Sequence, residues 1–120
     1  MSVDPLSQVS VEQEILRTAG LLDKQVTEVA RRAKAAAEAE VAWKIAFAKA
    51  SLLAEGKTVG DREAVALLEC ENELAAHKAA DAVLLAAQEA GRSYRARIDA
   101  LRTLAANQRA AITYSEGMGG

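Results

Sequence analysis

Two alanine-rich stretches with helical character, roughly Ser10 to Ala54 and Thr58 to Ile112, make up almost the whole chain of 120 residues. One short break at Glu55-Gly56-Lys57 separates them. At a rise of 1.5 Å per residue, helices of about 45 residues would each run about 70 Å, far beyond the diameter of a compact domain of this size. We therefore expect an all-α fold, a long antiparallel two-helix hairpin of coiled-coil type that associates into a bundle or docks on a partner.

The ends of both helices carry recognisable capping signals. Ser10-Val-Glu-Gln13 fits a capping box, and Thr58 is a suitable N-cap for the second helix. Gly56 is placed to end the first helix. The expected organisation is an N-terminal arm over residues 1–9, a hairpin over 10–112 and a flexible tail over 113–120.

Composition limits the functions that such a hairpin can have. The chain is 51% hydrophobic but only 3% aromatic, so its apolar content is mostly alanine and its core is thin. The net charge of -2 excludes a globally basic nucleic-acid-binding protein. The first residues lack a signal peptide, no apolar run is long enough to span a membrane, and the single cysteine cannot form an intramolecular disulfide. We expect a cytoplasmic protein, in the host cell if the chain is encoded by a phage.

Each helix carries an apolar stripe. In the first helix its members are Leu22, Val26, Val29, Ala33, Ala37, Val41, Ile45, Ala48 and Leu52. Their mean spacing slightly exceeds 3.6 residues, which predicts a nearly straight or weakly right-handed pair. The stripe of the second helix is closer to a heptad repeat and comprises Leu67, Cys70, Leu74, His77, Asp81, Leu84, Tyr94, Ile98, Leu101 and Ala105.

Trp43 and Phe47 lie four residues apart and somewhat off the first stripe. They form either a second core seam or the anchor of an interface, because aromatic side chains are enriched in both settings. We name them as protein-interface candidates together with the stripe residues Leu22, Tyr94 and Ile98.

Few residues are suited to chemistry. His77 and Asp81 are four residues apart, and folding at Lys57 brings the segment 38–40 near them. A proton relay or metal site would use such groups, but one histidine is a weak metal signal, and a polar layer that fixes helix register is the favoured interpretation. Cys70 is expected to be a small buried hydrophobe. We expect no catalytic residue, no metal, no cofactor and no enzyme activity.

Basic residues collect in the segments away from the turn. Residues 17–34 and 92–109 together contain ten basic and three acidic residues, whereas residues 55–73 are mainly acidic. Two sets recur every seven residues, Arg17, Lys24 and Arg31 in the first helix and Arg95, Arg102 and Arg109 in the second. These stripes are candidate contacts for phosphates or for an acidic protein surface. The alternative is that they are solvated flank positions held in local ion pairs.

The turn Thr58-Val59-Gly60-Asp61-Arg62-Glu63-Ala64 is followed about thirty residues later by Arg95-x-x-Ile98-x-x-Leu101-x-x-Leu104-x-x-x-Gln108-Arg109. Over about residues 25–112 this pattern resembles small helical-hairpin proteins encoded in the early replication and recombination regions of bacteriophages. That family often has a small polar residue after the late glutamine, and Arg109 departs from it. The resemblance implies an accessory or regulatory factor that docks on a DNA recombination or replication enzyme.

Three functions remain open at this stage. The first is the non-catalytic accessory factor, with a protein partner in DNA metabolism and direct DNA contact through the basic segments as an option. The second is a structural coiled-coil scaffold or assembly subunit that forms homo-oligomers. The third is an inhibitor of a host protein that acts through the acidic turn, where Glu69, Glu71 and Glu73 cluster.

Overall fold

The computed structural model describes residues 7–119, with side chains through residue 117. Three helices account for nearly all of them: α1 (Gln8–Leu53), α2 (Val59–Glu69) and α3 (Glu71–Gly119). No strand occurs in this part of the chain. The expected all-α helical hairpin is confirmed, with α1 as one arm and α2 followed by α3 as the other.

The start of α1 differs from the expected cap. Ser7, not Ser10, caps the helix: its hydroxyl accepts a hydrogen bond from the Ser10 backbone N–H at 3.1 Å, and its carbonyl accepts one from Val11 at 3.0 Å. Both serines can act as caps, but Ser7 lies one turn earlier and extends the helix. Most of the expected arm, residues 1–6, lies outside the described residues.

The turn between the arms is capped as expected. Thr58 has extended backbone geometry, and its side chain accepts a hydrogen bond from the Asp61 backbone N–H at 3.0 Å. Gly56 has a different role from the expected helix-ending cap. α1 already ends at Leu53, and no glycine among the described residues has a positive φ. A Cβ at Gly56 would lie 2.9 Å from the Asp61 Cβ and 3.1 Å from the Arg62 nitrogen, so the turn needs glycine for close approach.

The second arm is interrupted at Cys70, where one continuous helix was expected. The Cys70 backbone leaves the helical region at φ -111° and ψ 26°, and its N–H and thiol both donate to the Ala66 carbonyl. Neither glycine nor proline marks the position, so the interruption could not be predicted from local sequence signals. α3 then runs to Gly119, past the expected end at Ile112, so residues 113–119 of the expected tail are helical.

Residue contacts divide the hairpin into two units. Over the described residues, the terminal unit combines residues 7–27 with 89–119, and the turn unit comprises residues 28–88. Buried side chains of the terminal unit include Val11, Thr18, Ile98 and Ala105, and those of the turn unit include Ala36, Ala66, Cys70, His77 and Ala87. The buried threonine is satisfied, since its hydroxyl donates to the Glu14 carbonyl at 2.8 Å.

The side of α1 that is buried is not the expected stripe. One series of buried and half-buried positions has alternating spacings of four and three residues: Val11, Ile15, Thr18, Leu22, Gln25, Val29, Arg32, Ala36, Ala39, Trp43, Ala46 and Ala50. Its mean spacing of 3.5 residues is that of a heptad repeat, so the stripe with a spacing above 3.6 is not the buried side of α1. Half-buried residues beside this series include Glu14, Ala19, Leu21, Glu28, Glu40 and Phe47. Only Leu22 and Val29 belong to both sets, and Val26, Val41, Ile45 and Leu52 are more than half exposed.

The expected stripe of the second arm is closer to the structure. Cys70, His77, Ile98 and Ala105 are buried, and Leu74, Leu84, Tyr94 and Leu101 are half-buried. Leu67 and Asp81 are exposed, which corrects two of the expected positions. The same side of the second arm also includes the buried or half-buried residues Ala80, Ala87 and Gly91. Their small size lets the two helix backbones approach closely.

Candidate interaction surfaces

Trp43 lies in the seam of the turn unit, where its indole faces the second arm. The indole ring stacks on the imidazole of His77 with a centroid distance of 5.6 Å and an interplanar angle of 9°. Phe47, one turn further along α1, stacks on Trp43 with a centroid distance of 5.9 Å. The aromatic pair is therefore part of the hairpin's own packing, which is the core-seam alternative, and only its half-exposed edges are accessible to another molecule.

His77 sits in a layer of polar groups beside this stack. Its Nε2 lies 3.6 Å from Oδ2 of the exposed Asp81, one turn along α3. Glu40 of α1 pairs with Lys44 at 2.9 Å, and this hydrogen bond, helped by the nearby His77, lowers the pKa of the Glu40 carboxyl. Glu38 is not part of this polar layer, because its carboxylate lies 4.0 Å from the Lys34 amine.

The histidine layer does not form a metal site. Within residues 7–117, no group of three or more histidine, cysteine or carboxylate side chains is placed to hold a metal ion. Nδ1 of His77 and Nε1 of Trp43 are buried and have no hydrogen-bond partner in the same range. The arrangement fits a packing and register role.

Glu14 organises the basic residues on one side of the terminal unit. Its carboxylate accepts hydrogen bonds from Arg17 on the same helix, at 3.0 and 2.6 Å, and from Arg97 on α3 at 2.5 Å. Hydrogen bonding by Arg17, together with the charges of Arg17 and Arg97, lowers the pKa of Glu14, and the same pairing raises the pKa of Arg17. Of the predicted contact residues, Arg17 is thus held in a local network.

The predicted contact Arg31 is also paired, as are two further arginines that were not predicted as contacts. Arg31 and Arg32 both bind Glu28, at 2.6 and 2.7 Å, and lower the pKa of its carboxyl. Arg92 pairs with Glu89. For these side chains the structure shows the local ion pairs that the alternative interpretation expected, with the single carboxylate of Glu28 shared by two guanidinium groups.

A second group of basic residues has no such partners. Lys24, Arg95, Arg102 and Arg109 are exposed and form no ion pair with any residue in the described range. Arg95 and Arg102 line a shallow groove of the terminal unit with Leu22, Ile98 and Asp99. We call Arg95, Arg102 and Arg109 the arginine stripe of α3; its three guanidinium groups recur every seven residues along one side of the helix.

Arg17 and the arginine stripe of α3 lie on different sides of the terminal unit. Arg97 contacts Glu14 and so shares a side with Arg17, whereas Arg95 lines the groove beside Leu22. Residues 95 and 97 are two positions apart, which is about 200° around a helix. Arg17 and the arginine stripe therefore belong to separate basic surfaces, and Leu22, Ile98 and the half-buried Tyr94 lie at the seam of the terminal unit.

A second surface is exposed in the turn unit, although its residues were expected in the seam between the two arms. Val41 and Ile45 are 55% and 51% exposed, and Leu52 is 86% exposed. A shallow hollow on the same side is lined by Ala37, Glu38, Val41, Ala42 and Ile45. We call the side of α1 formed by Ala37, Val41, Ile45, Ala48 and Leu52 the outer face of α1.

No protein-family model matches the chain, and comparisons with curated proteins and with solved structures give no match. None of the helices, over the residues described, is long and apolar enough to cross a membrane.

Proposed function

We propose that this protein is a non-catalytic interaction protein that binds an acidic surface of a protein partner through the arginine stripe of α3. One observation carries the proposal. Arg17, Arg31, Arg32, Arg92 and Arg97 each have an acidic partner within the described chain, whereas Arg95, Arg102 and Arg109 have none. A regular row of unpaired guanidinium groups is suited to an acidic ligand from outside the hairpin.

The dimensions of the stripe favour an extended or helical acidic segment as its ligand. Arg95 and Arg109 are fourteen residues apart in α3, and this corresponds to about 21 Å along a helix. The groove beside Arg95 and Arg102 adds an apolar floor at Leu22 and Ile98. Guanidinium groups bind carboxylates in a bidentate manner, and the apolar floor can take a neighbouring side chain of the ligand.

The phage resemblance suggests which class of partner to consider. It implies a recombination or replication enzyme, and the role of accessory or regulatory factor remains a prediction that rests on that resemblance alone. Direct contact with DNA phosphates through the same arginines is the competing use of the stripe.

Two observations keep the other functions open. The outer face of α1 is apolar and exposed, which favours the scaffold or assembly subunit. Glu69, Glu71 and Glu73 are exposed and have no ion pair with the described residues, which favours the inhibitor that acts through its acidic turn.

The test is affinity capture of partner proteins from cells of the source organism, identified by mass spectrometry, with two matched charge variants. R95E/R102E reverses two charges of the stripe, and K57E/K78E reverses two exposed lysines elsewhere. We expect wild type and K57E/K78E to capture the same partner, and R95E/R102E to lose it while retaining its helical circular dichroism. Capture of the same partner by R95E/R102E would contradict the proposal.

Two further experiments distinguish the alternative functions. Loss of partner binding in E69K/E71K/E73K, with R95E/R102E unaffected, would assign the function to the acidic turn. Binding of a duplex DNA probe with a steep salt dependence that R95E/R102E abolishes would assign the stripe to phosphates, because neutralised phosphates release counterions.

A further inference from the structure

The outer face of α1 is free because of the position that Trp43 takes in the seam. Val41 and Ile45 each lie two residues from Trp43, which places them about 160° away from it around the helix. Since Trp43 faces His77 on the second arm, Val41 and Ile45 face away from that arm. Half of each side chain is exposed to water although both are apolar.

The outer face has the geometry of a coiled-coil seam. Glu38, Val41, Ala42 and Ile45 line the hollow, and they stand at positions i, i+3, i+4 and i+7. Four residues with this spacing form the hole that receives one knob side chain of a neighbouring helix. The heptad positions continue on both sides, to Lys34 before the hollow and to Ala48 and Leu52 after it.

The charged residues beside the hollow indicate which helix can pack against it. Glu38 and Lys49 are eleven residues apart, which is close to three full turns, so both lie on the same flank of the outer face. When two identical helices pack antiparallel, one flank of the first helix faces the same flank of the second. A second α1 in the antiparallel direction therefore brings its Lys49 to Glu38 and its Glu38 to Lys49, and two opposite-charge pairs form.

The same register matches the apolar side chains. With the two-fold axis between residues 41 and 45, Val41 of one copy packs at the level of Ile45 of the other, and Ile45 enters the hollow formed by Glu38, Val41, Ala42 and Ile45. The next layers combine Glu38 with Ala48 and the stem of Lys34 with Leu52. Lysine stems cover apolar surface well, so the outer layers remain compatible with a dimer.

We propose that the outer face of α1 is a self-association site, at which two copies of this chain pair antiparallel over residues 34–52. The central contact is small, with Val41 and Ile45 from each copy, so the dimer is weak and reversible. The arginine stripe lies on another helix and is not used, so this dimer is independent of the proposed partner binding.

The test is sedimentation equilibrium of the full chain at concentrations from a few micromolar to about one millimolar. Wild type is expected to pass from monomer to dimer across this range. I45E is expected to remain a monomer, whereas V26E, which changes a comparably exposed valine of the same helix, is expected to dimerise like wild type. A wild-type monomer throughout, or equal dimerisation of I45E, would overturn the proposal.

A charge exchange tests the antiparallel register. E38K places lysine opposite Lys49 twice per dimer and is expected to weaken association about tenfold, and the double variant E38K/K49E is expected to restore it. If the double variant associates no better than E38K, the proposed register is wrong. Parallel pairing, or a complex held together elsewhere, would give that result.

Discussion

Trp43 and His77 stack nearly parallel, with ring centroids 5.6 Å apart, and join α1 to α3 in the turn unit. Alanine is the most frequent residue among the buried hydrophobic side chains, and the aromatic stack adds contact between large rings to this core. Because Trp43 faces the second arm, Val41 and Ile45 on the opposite side of α1 are exposed to solvent.

W43A should therefore destabilise the hairpin by about 2 kcal/mol, less than for a fully buried tryptophan because Trp43 is half-buried. Urea denaturation followed by circular dichroism measures this change. Y114A is the control, because Tyr114 is 70% exposed and its loss should change stability by less than about 0.5 kcal/mol. Equal effects of the two substitutions would show that the stack does not support the fold.

Two glycines should respond in opposite directions to alanine. G56A introduces a Cβ 2.9 Å from the Asp61 Cβ and 3.1 Å from the Arg62 backbone nitrogen, so the turn must shift and stability should fall by about 1 to 2 kcal/mol. Gly20 is helical and a Cβ there meets nothing within 4 Å, so G20A should stabilise the protein by about 1 kcal/mol. Thermal unfolding of the two variants gives the comparison, and a stabilising G56A would contradict the turn geometry.

Acid should weaken the terminal unit through Glu14. Its pKa in the folded state is lowered from the ordinary 4.5 by Arg17 and Arg97, so its contribution to stability is present above about pH 4.5 and is lost as the pH falls through the folded value. The melting temperature of wild type should thus fall more steeply below pH 4.5 than that of E14Q. E12Q is the matched control and should follow wild type.

Cys70 should be protected from thiol reagents in the folded protein. Its side chain is 2% exposed, and the thiol donates to the Ala66 carbonyl at 3.2 Å. Reaction with a chromogenic disulfide reagent is expected to be at least about a hundredfold slower than in concentrated urea, because the local structure must open first. Rapid reaction under native conditions would indicate that the interruption between α2 and α3 opens readily.

Local signals allowed much of the fold to be predicted. Thr58 was identified as the cap of the second arm because its hydroxyl needs only the Asp61 N–H three residues on, and the structure contains that bond. The interruption at Cys70 could not be predicted in this way. It depends on a backbone rotation that many residues tolerate, and no glycine or proline marks it.

The interaction surfaces were only partly predictable. Seven-residue repeats identified Arg95, Arg102 and Arg109, but the same repeats identified Arg17 and Arg31, which the structure holds in ion pairs. Glu14 pairs with Arg97, 83 positions away, and contacts between such distant residues leave no periodic signal in one sequence. Whether a charge remains available to a partner thus depends on tertiary neighbours.

The sequence by itself determined that the chain is two helical arms around a capped turn, because helix periodicity and capping act over a few residues. Only the tertiary structure decided which side of α1 faces the second arm. Two helices that remain in contact over many turns need buried positions with the same period. In the second arm the buried positions Cys70, His77 and Ile98 are separated by multiples of seven residues, which is a period of 3.5. Ala36 and Trp43 match that period and Trp43 stacks on the second arm, whereas Val41, Ile45 and Leu52 lie on the opposite side of α1 and remain exposed.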